Sequence, residues 1–393
     1  MRSLEKESKL LMNVLKSRIS KARETLDKYG DAWLVLSIGT GDSNIDYLLG
    51  VHAHGLMGAL LFHDELHVFV GRLERSFIQH LEEEGLITET HVFYGYSEFE
   101  SKLRSVLREC SGKRILANFS SLELYPHASS LSYSVASRLK HLAESYEIDI
   151  RPSGRFVYEL RQKKTPEELA VLEKSVSIAI TMLDSIIGDS VIRPGITERE
   201  IAARMYGELY KYGDPAFEII VASGPNTANP HHITSRRKIR NNDVVYIDFG
   251  IKYLTMCSDI TRFFVVGSAS KEIQDAYEAV FEAQNRSIEA LRVGIPFSEP
   301  DKVAREVFKE MGYDPEKHFI HSLGHALGVD VHDVGPPFSQ RVKKKMIPEN
   351  VAYTVEPALY FEGKFGIRLE DDVIIAKKTV KRLAKSPEEP ICL

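Results

Sequence analysis

The sequence predicts two domains: an α/β domain over residues 1–155 and an α+β domain over 156–393 with an internal pseudo-twofold duplication. Three observations lead there. A chain of 393 residues exceeds one ordinary core and suits two, at roughly 100–200 residues per domain. Helical and strand-like stretches alternate up to Ile150, and the turn-rich Arg151-Pro152-Ser153-Gly154-Arg155 then marks a boundary. Beyond it, residues 192–204, with Ile196-Thr197-Glu198, resemble residues 293–305, with Phe297-Ser298-Glu299. Each stretch follows a long helical pattern, precedes an aromatic-rich helix ending near a glycine (Gly213, Gly312), and leads to a histidine-bearing strand–turn region. A duplicated half-domain creates a central cleft, the natural place for chemistry.

The elements follow in order. Leu10, Leu11, Val14, Ile19 and Leu26 recur near helical spacing and predict an amphipathic helix to about Tyr29. The apolar run from Trp33 to Ile38 reads as a buried strand. Two further runs, 59–62 and 66–70, flank His63-Asp64-Glu65 as a hairpin. Thr165-Pro166-Glu167-Glu168 starts a helix, with threonine as N-cap and proline in the first turn. Helices dominate from there to about Tyr212, and strands and turns carry most of the remainder.

Composition excludes several classes. A hydrophobic share of 43% with 27% charged residues is ordinary globular composition. A formal charge of −5 offers no electrostatic reason for a nucleic-acid partner. Cys110, Cys257 and Cys392 are scattered and form no CxxC, which fits a reducing compartment without a disulfide framework or a thiolate zinc site. The first residues are charged, and no apolar run approaches the ~20 residues of a membrane span. The expectation is a cytoplasmic protein with no membrane partner.

The chemistry lies in acids that end strands. Asp248 closes the run that begins at Asp243, and Asp259 opens the next. A hairpin centred on Tyr253 and Leu254 sets these two residues opposite each other. Symmetric pairing about Gly363 does the same for Glu356 and Glu370. Like charges directly opposed in a sheet are destabilising, and two unit charges ~4 Å apart repel by about 4 kcal/mol at an effective dielectric near 20. Four such acids in a domain whose stability is on the order of 10 kcal/mol imply cations between them. A neutral imidazole completes the set, with His321, His325 and His332 as candidates. Oxygen-rich ligation without sulfur suits Mn2+, Co2+ or Zn2+.

Other motifs carry less. Asp248-Phe249-Gly250 has the form of a kinase metal tripeptide, but no kinase lysine, catalytic loop or phosphate loop accompanies it. Gly39-Thr40-Gly41 hints at a dinucleotide turn, yet Asn44 stands where the third glycine belongs. Lys343-Lys344-Lys345 reads as a solvated face, and Arg236-Arg237-Lys238 as a surface turn.

Taken together, Asp248-Phe249-Gly250, Ser258-Asp259-Ile260-Thr261-Arg262, Gly324-His325, Val355-Glu356-Pro357 and Arg368-Leu369-Glu370 resemble the pita-bread metallopeptidases. That group includes methionine aminopeptidase, aminopeptidase P and prolidase. The likeness extends to Gly195-Ile196-Thr197-Glu198, to Ser223-Gly224-Pro225-Asn226 with Pro230-His231, and to Asn44-Ile45-Asp46-Tyr47 in a creatinase/prolidase-like accessory domain. The resemblance implies two divalent ions per chain, with Asp248 on one, His325 and Glu356 on the other, and Asp259 and Glu370 bridging. It further implies Glu356 as proton acceptor, and His231 and His332 at the scissile carbonyl and the transition state. Arg368 and His321 support the acids or the substrate. The accessory domain separates peptidases acting before proline from plain methionine enzymes. Within that group Gly335-Pro336-Pro337, with no arginine before Arg341, tilts the expectation towards an Xaa-Pro aminopeptidase over an Xaa-Pro dipeptidase. A homodimer acting on short proline-containing peptides is expected by the same analogy. The competing classes are a metal-free binding protein and a hydrolase of non-peptide C–N bonds. The metal-free class loses ligands, whereas all five are present here.

Overall fold

The computed structural model describes residues 2–39, 41–119 and 130–393, which form two compact units, Met1–Glu167 and Glu168–Leu393. The first unit runs α1 (Arg2–Leu26), β1 (Ala32–Ser37), α2 (Ser43–Leu49), β2 (Met57–Phe62), β3 (Leu66–Gly71), α3 (Arg75–Glu83), β4 (Glu89–Phe93), α4 (Tyr96–Arg108), β5 (Arg114–Ala117), α5 (Tyr133–Glu144), β6 (Asp149–Pro152) and α6 (Gly154–Gln162). Its single six-stranded sheet has the order β4-β3-β2-β1-β5-β6. The hairpin read from sequence is β2–β3, paired from Met57↔Val70 to Leu61↔Leu66.

The first unit ends later than the turn-rich passage suggests. α6 follows that turn and buries Phe156 edge-on against Trp33, with ring centroids 4.9 Å apart. Removing such an aromatic from water is worth roughly 1.5–3 kcal/mol, which ties α6 to the first unit and places the division after Glu167 rather than at 155/156. The glycines near residue 40 precede a helix cap: the Asp42 side chain accepts from Asn44 N at 2.7 Å at the start of α2. Thr40 of that motif lies outside the described residues.

The second unit begins inside the first turn of α7 (Pro166–Gly188) and continues with α8 (Glu198–Leu209), β7 (Asp214–Pro215), β8 (Ile220–Ser223), β9 (Val244–Phe249), β10 (Ile251–Tyr253), β11 (Met256–Cys257) and β12 (Ile260–Val265). Then come α9 (Lys271–Ala290), α10 (Glu299–Glu310), α11 (Pro315–His318), β13 (Val351–Val355), β14 (Ala358–Phe361), β15 (Phe365–Arg368), β16 (Asp371–Ile375), β17 (Val380–Arg382) and β18 (Ile391–Cys392). The duplication is visible in this order: α7–α8 lead to the β9–β12 ladder, and α9–α10 lead to the β13–β16 ladder. This is the α+β pita-bread arrangement. Thr197 and Glu200 cap α8 with reciprocal side-chain bonds, as the Thr-x-x-Glu pattern demands.

β9 and β12 are buried along their whole length, so their apolar runs pack on both faces. Between the halves lies one core in which Tyr246 and Phe263 join Tyr277, Phe308, Phe338 and Tyr353. Ala276, Ala279 and Ala283 of α9 share it, and their small side chains let the helix approach closely. That rigid base fixes the strand ends where the acids sit.

One register differs from expectation. β9 and β12 set Asp248 opposite Thr261, not opposite Asp259. The intervening pairs Lys252↔Cys257 and Tyr253↔Met256 centre the turn between Leu254 and Thr255, one residue later than the symmetric hairpin assumed. Both turn residues adopt positive φ, 44° and 83°, a conformation that apolar and β-branched side chains do not announce in a sequence. Asp248 and Asp259 are therefore diagonal neighbours on one face. The β14–β15 ladder is symmetric about Gly363 as expected, but its paired residues end at Ala358 and Arg368, and Glu370 bridges Thr261 instead.

Candidate metal centre

Five strand ends and loops converge on one cavity of about 560 Å3, lined by Asp248, Asp259, His325, Glu356 and Glu370 together with His231, His321, His332 and Arg368. All nine residues singled out in the sequence thus face one space. A second cavity of about 620 Å3 beside α9 and β18 contains no histidine, so its greater size carries no chemical weight.

The backbone explains the convergence. Gly250 follows the Asp248 strand, and a Cβ there would lie 1.8 Å from the Ser258 carbonyl oxygen. Gly324 precedes His325, and a Cβ there would lie 2.0 Å from the Thr354 carbonyl oxygen. Only glycine lets these chains pass closely enough to bring both donors inward.

At the centre, His325 Nε2 lies 3.4 Å from Asp259 Oδ2 and 3.6 Å from Glu356 Oε1. His325 Nδ1 donates to the Ala326 carbonyl at 3.2 Å, which leaves the Nε2 lone pair aimed at the acids. Asp259, His325 and Glu370 each present one ligand atom within 4.8 Å of the others. Thr261 Oγ1 donates to Glu370 Oε2 at 2.7 Å. Arg368 donates through Nη2 to Asp248 Oδ2, through Nε to Thr261 Oγ1 at 3.1 Å, and through Nη1 to Tyr360 Oη at 3.2 Å. Nη1 also reaches the Pro230 carbonyl at 3.1 Å. The arginine therefore joins the acids to the loop that carries His231.

The electrostatics show what the cluster lacks. Burial pushes Asp259 and Glu370 well above the usual carboxylate range, and the neighbouring acids push in the same direction. Burial likewise drives Glu356 up to about 8 and His325 down to about 3. Among the described residues no donor meets Asp248 Oδ1 or Asp259 Oδ1, although both are buried. Buried oxygens without donors, crowded acids and a neutral imidazole form a donor set that fits divalent cations. The residues present therefore fit a metal site.

The histidines expected to act on substrate sit at its rim. His332 is exposed and stacks edge-on with His325, ring centroids 4.1 Å apart. His231 is also exposed, on the loop after the 3-10 turn Gly224–Ala228. His321 lies deeper: Nδ1 donates to the Ser322 carbonyl at 2.8 Å, and Nε2 lies 3.1 Å from Tyr360 Oη. Arg237, read as part of a surface turn, instead pairs with Asp243 at 2.6 Å.

Sequence reasoning overlooked two supports. Tyr360 links Arg368 to His321. Glu198 is fully buried and accepts from Ser223 Oγ at 2.6 Å, Asn226 Nδ2 at 2.9 Å and Ser235 Oγ at 2.5 Å. His232 Nε2 lies 2.8 Å from the same carboxylate. Glu198 thus anchors both sides of the His231 loop. The Thr197-Glu198-x-Glu200 capping pattern concealed it, because an acid in a first helical turn is usually solvated.

The model of metallopeptidase family M24 matches residues 170–377. The Xaa-Pro dipeptidase of Pyrococcus furiosus is 38% identical over 261 residues, 66% of this chain and 73% of that protein. The crystal structure of a prolidase from Thermococcus sibiricus superposes with a TM-score of 0.80 at 32% identity, over 96% of this chain and 99% of that one. An X-Pro aminopeptidase from Thermotoga maritima gives a TM-score of 0.80 at 29% identity, over 93% and 98% of the two chains.

Proposed function

The chain belongs to metallopeptidase family M24, and from that premise we propose that it is an Xaa-Pro dipeptidase that cleaves short peptides before proline. The observation that carries it is the meeting of Asp259, His325 and Glu370 within 4.8 Å, beside Asp248 and Glu356, in one solvent-open cavity. Two divalent ions, Mn2+ or Co2+ ahead of Zn2+, would be held by Asp248, Asp259, His325, Glu356 and Glu370. When bound, the ions supply Lewis acidity and lower the pKa of water at the site.

The protein's own residues do the rest. Glu356, on the cavity wall beside His325, takes the proton released as water attacks. His231 and His332, at the rim, donate to the carbonyl oxygen and steady the tetrahedral state. Arg368 and Thr261 hold Asp248 and Glu370 in place. His321, fixed by Ser322 and Tyr360, shapes the wall beside them.

The Pyrococcus furiosus and Thermococcus sibiricus relatives support a dipeptidase over the aminopeptidase that the sequence alone favoured. The aminopeptidase remains the second reading on one observation: among the described residues Arg368 is the arginine lining the cavity, and Asp248, Thr261, Tyr360 and Pro230 already engage its N–H groups. A free proline carboxylate then relies on the rim histidines. The test compares kcat/KM for Xaa-Pro and Xaa-Pro-Yaa peptides. Preference for the dipeptide supports the proposal, and preference for the tripeptide replaces it with the aminopeptidase.

A further inference from the structure

We propose a second metal site, of the zinc class, formed by His67, Glu89 and His91 at the edge of the first unit's sheet. β3 and β4 run parallel, with His67 opposite Glu89 and Phe69 opposite His91. The period of two along each strand puts His67, Glu89 and His91 on one face, with His91 one diagonal step from His67. The two imidazoles are buried, and Glu89 leaves the site open to solvent.

The separations are those of a coordination shell. His67 Nδ1 lies 3.1 Å from His91 Nε2 and 3.6 Å from Glu89 Oε2. Bonds of about 2.0–2.1 Å in tetrahedral zinc place ligand atoms about 3.3–3.4 Å apart. The three ligand atoms lie within 4.8 Å of one another, as do those of the acid-rich centre. Two ring nitrogens at 3.1 Å must hold either a proton or a cation between them. Glu89 adds a carboxylate oxygen 3.6 Å from His67 Nδ1, the third donor that a metal cation takes and a shared proton does not need.

The surroundings point the same way. The other nitrogen of His67, Nε2, lies 3.2 Å from Glu65 Oε2. A carboxylate on the far nitrogen fixes the tautomer that leaves Nδ1 with its lone pair, the usual support of a metal-bound histidine. His91 stacks on Phe69, ring centroids 4.6 Å apart, and its orientation is thereby set before any ion arrives. Two imidazole nitrogens and one carboxylate oxygen, with a fourth position open to water, suit zinc. Bound there, the ion clips the edge strand β4 to β3.

The test uses the full chain dialysed against buffered zinc, with metal content measured for the parent, Glu89→Gln and His91→Gln. The expected result is one fewer zinc per chain in each variant at a free concentration that fills the parent, with peptidase activity unchanged. Losing even an outer partner of a metal costs roughly 10–100-fold in affinity, so a lost ligand should weaken binding at least tenfold. Glu89 is exposed, so Glu89→Gln decides the matter if His91→Gln does not fold. Zinc content equal to the parent's in Glu89→Gln overturns the site. So does a crystal of the zinc-soaked parent with no anomalous peak between His67 Nδ1 and His91 Nε2.

Discussion

Arg368 donates to Asp248 across the floor of the cavity, and both residues are buried. An arginine this deep is held by four acceptors: a carboxylate, a threonine hydroxyl, a tyrosine hydroxyl and a backbone carbonyl. Its guanidinium also lies over the Tyr246 ring, 4.8 Å from the centroid. It orients one acid before any metal binds, and its charge opposes the upward push that burial gives the Asp248 carboxyl.

Arg368→Met should therefore destabilise the metal-free protein by about 3–5 kcal/mol, the cost of leaving a buried charge unpaired. Added Mn2+ should recover part of that loss, because the ions replace the missing charge beside Asp248. Arg368→Lys should not restore stability, since one ammonium cannot span four acceptors. Urea unfolding with chelator and with Mn2+ measures each term, and an equal loss in both conditions contradicts the assignment.

Glu198 makes a prediction with a definite pH sign. Burial alone would raise its carboxyl, but hydrogen bonds from Ser223, Ser235, His232 and Asn226 more than offset this and hold it below its ordinary 4.5. A depressed folded value contributes stability that is present above the unfolded value and is lost as pH falls through the folded one. Glu198→Gln should cost about 2–3 kcal/mol at neutral pH, because its amide sets donors against donors. The gap between parent and variant should shrink below about pH 4.5. Because the carboxylate holds the His231 loop, kcat should also fall while metal content stays. A gap that does not narrow in acid would remove the account.

His325 and His332 touch each other yet should fail differently when replaced. His325→Ala removes a ligand and should lose metal at the free concentration that fills the parent. His332→Ala should keep its metal while kcat drops by roughly two to three orders of magnitude, the usual loss on removing a donor to a developing oxyanion. Elemental analysis beside steady-state kinetics separates them. Equal metal loss in both, or a near-normal kcat for His332→Ala, goes against these roles.

The candidate ligands were legible because acids at the ends of apolar strands break the expected pattern, and the repeat at 192–204 and 293–305 pointed to the cleft. The register between Asp248 and Asp259 was not, since the positive-φ turn at Leu254 and Thr255 contains neither glycine nor asparagine. Tyr360 and Glu198 look like ordinary strand and helix residues until tertiary contacts bring them to Arg368 and the His231 loop. His67 and His91 are separated in the chain by α3, and only the parallel pairing of β3 with β4 reveals that they meet. Short-range pattern finds strand ends; it does not find partners that arrive from other elements.

The central claim is that the crowded acids around His325 are built for divalent cations. Equilibrium dialysis against Mn2+, followed by elemental analysis of parent and Asp259→Asn, tests it most directly. The account predicts two Mn2+ per chain in the parent, none or one in Asp259→Asn, and peptidase activity that vanishes with chelator and returns with Mn2+. Manganese content unchanged in Asp259→Asn, or full activity in chelator with no metal bound, would contradict it.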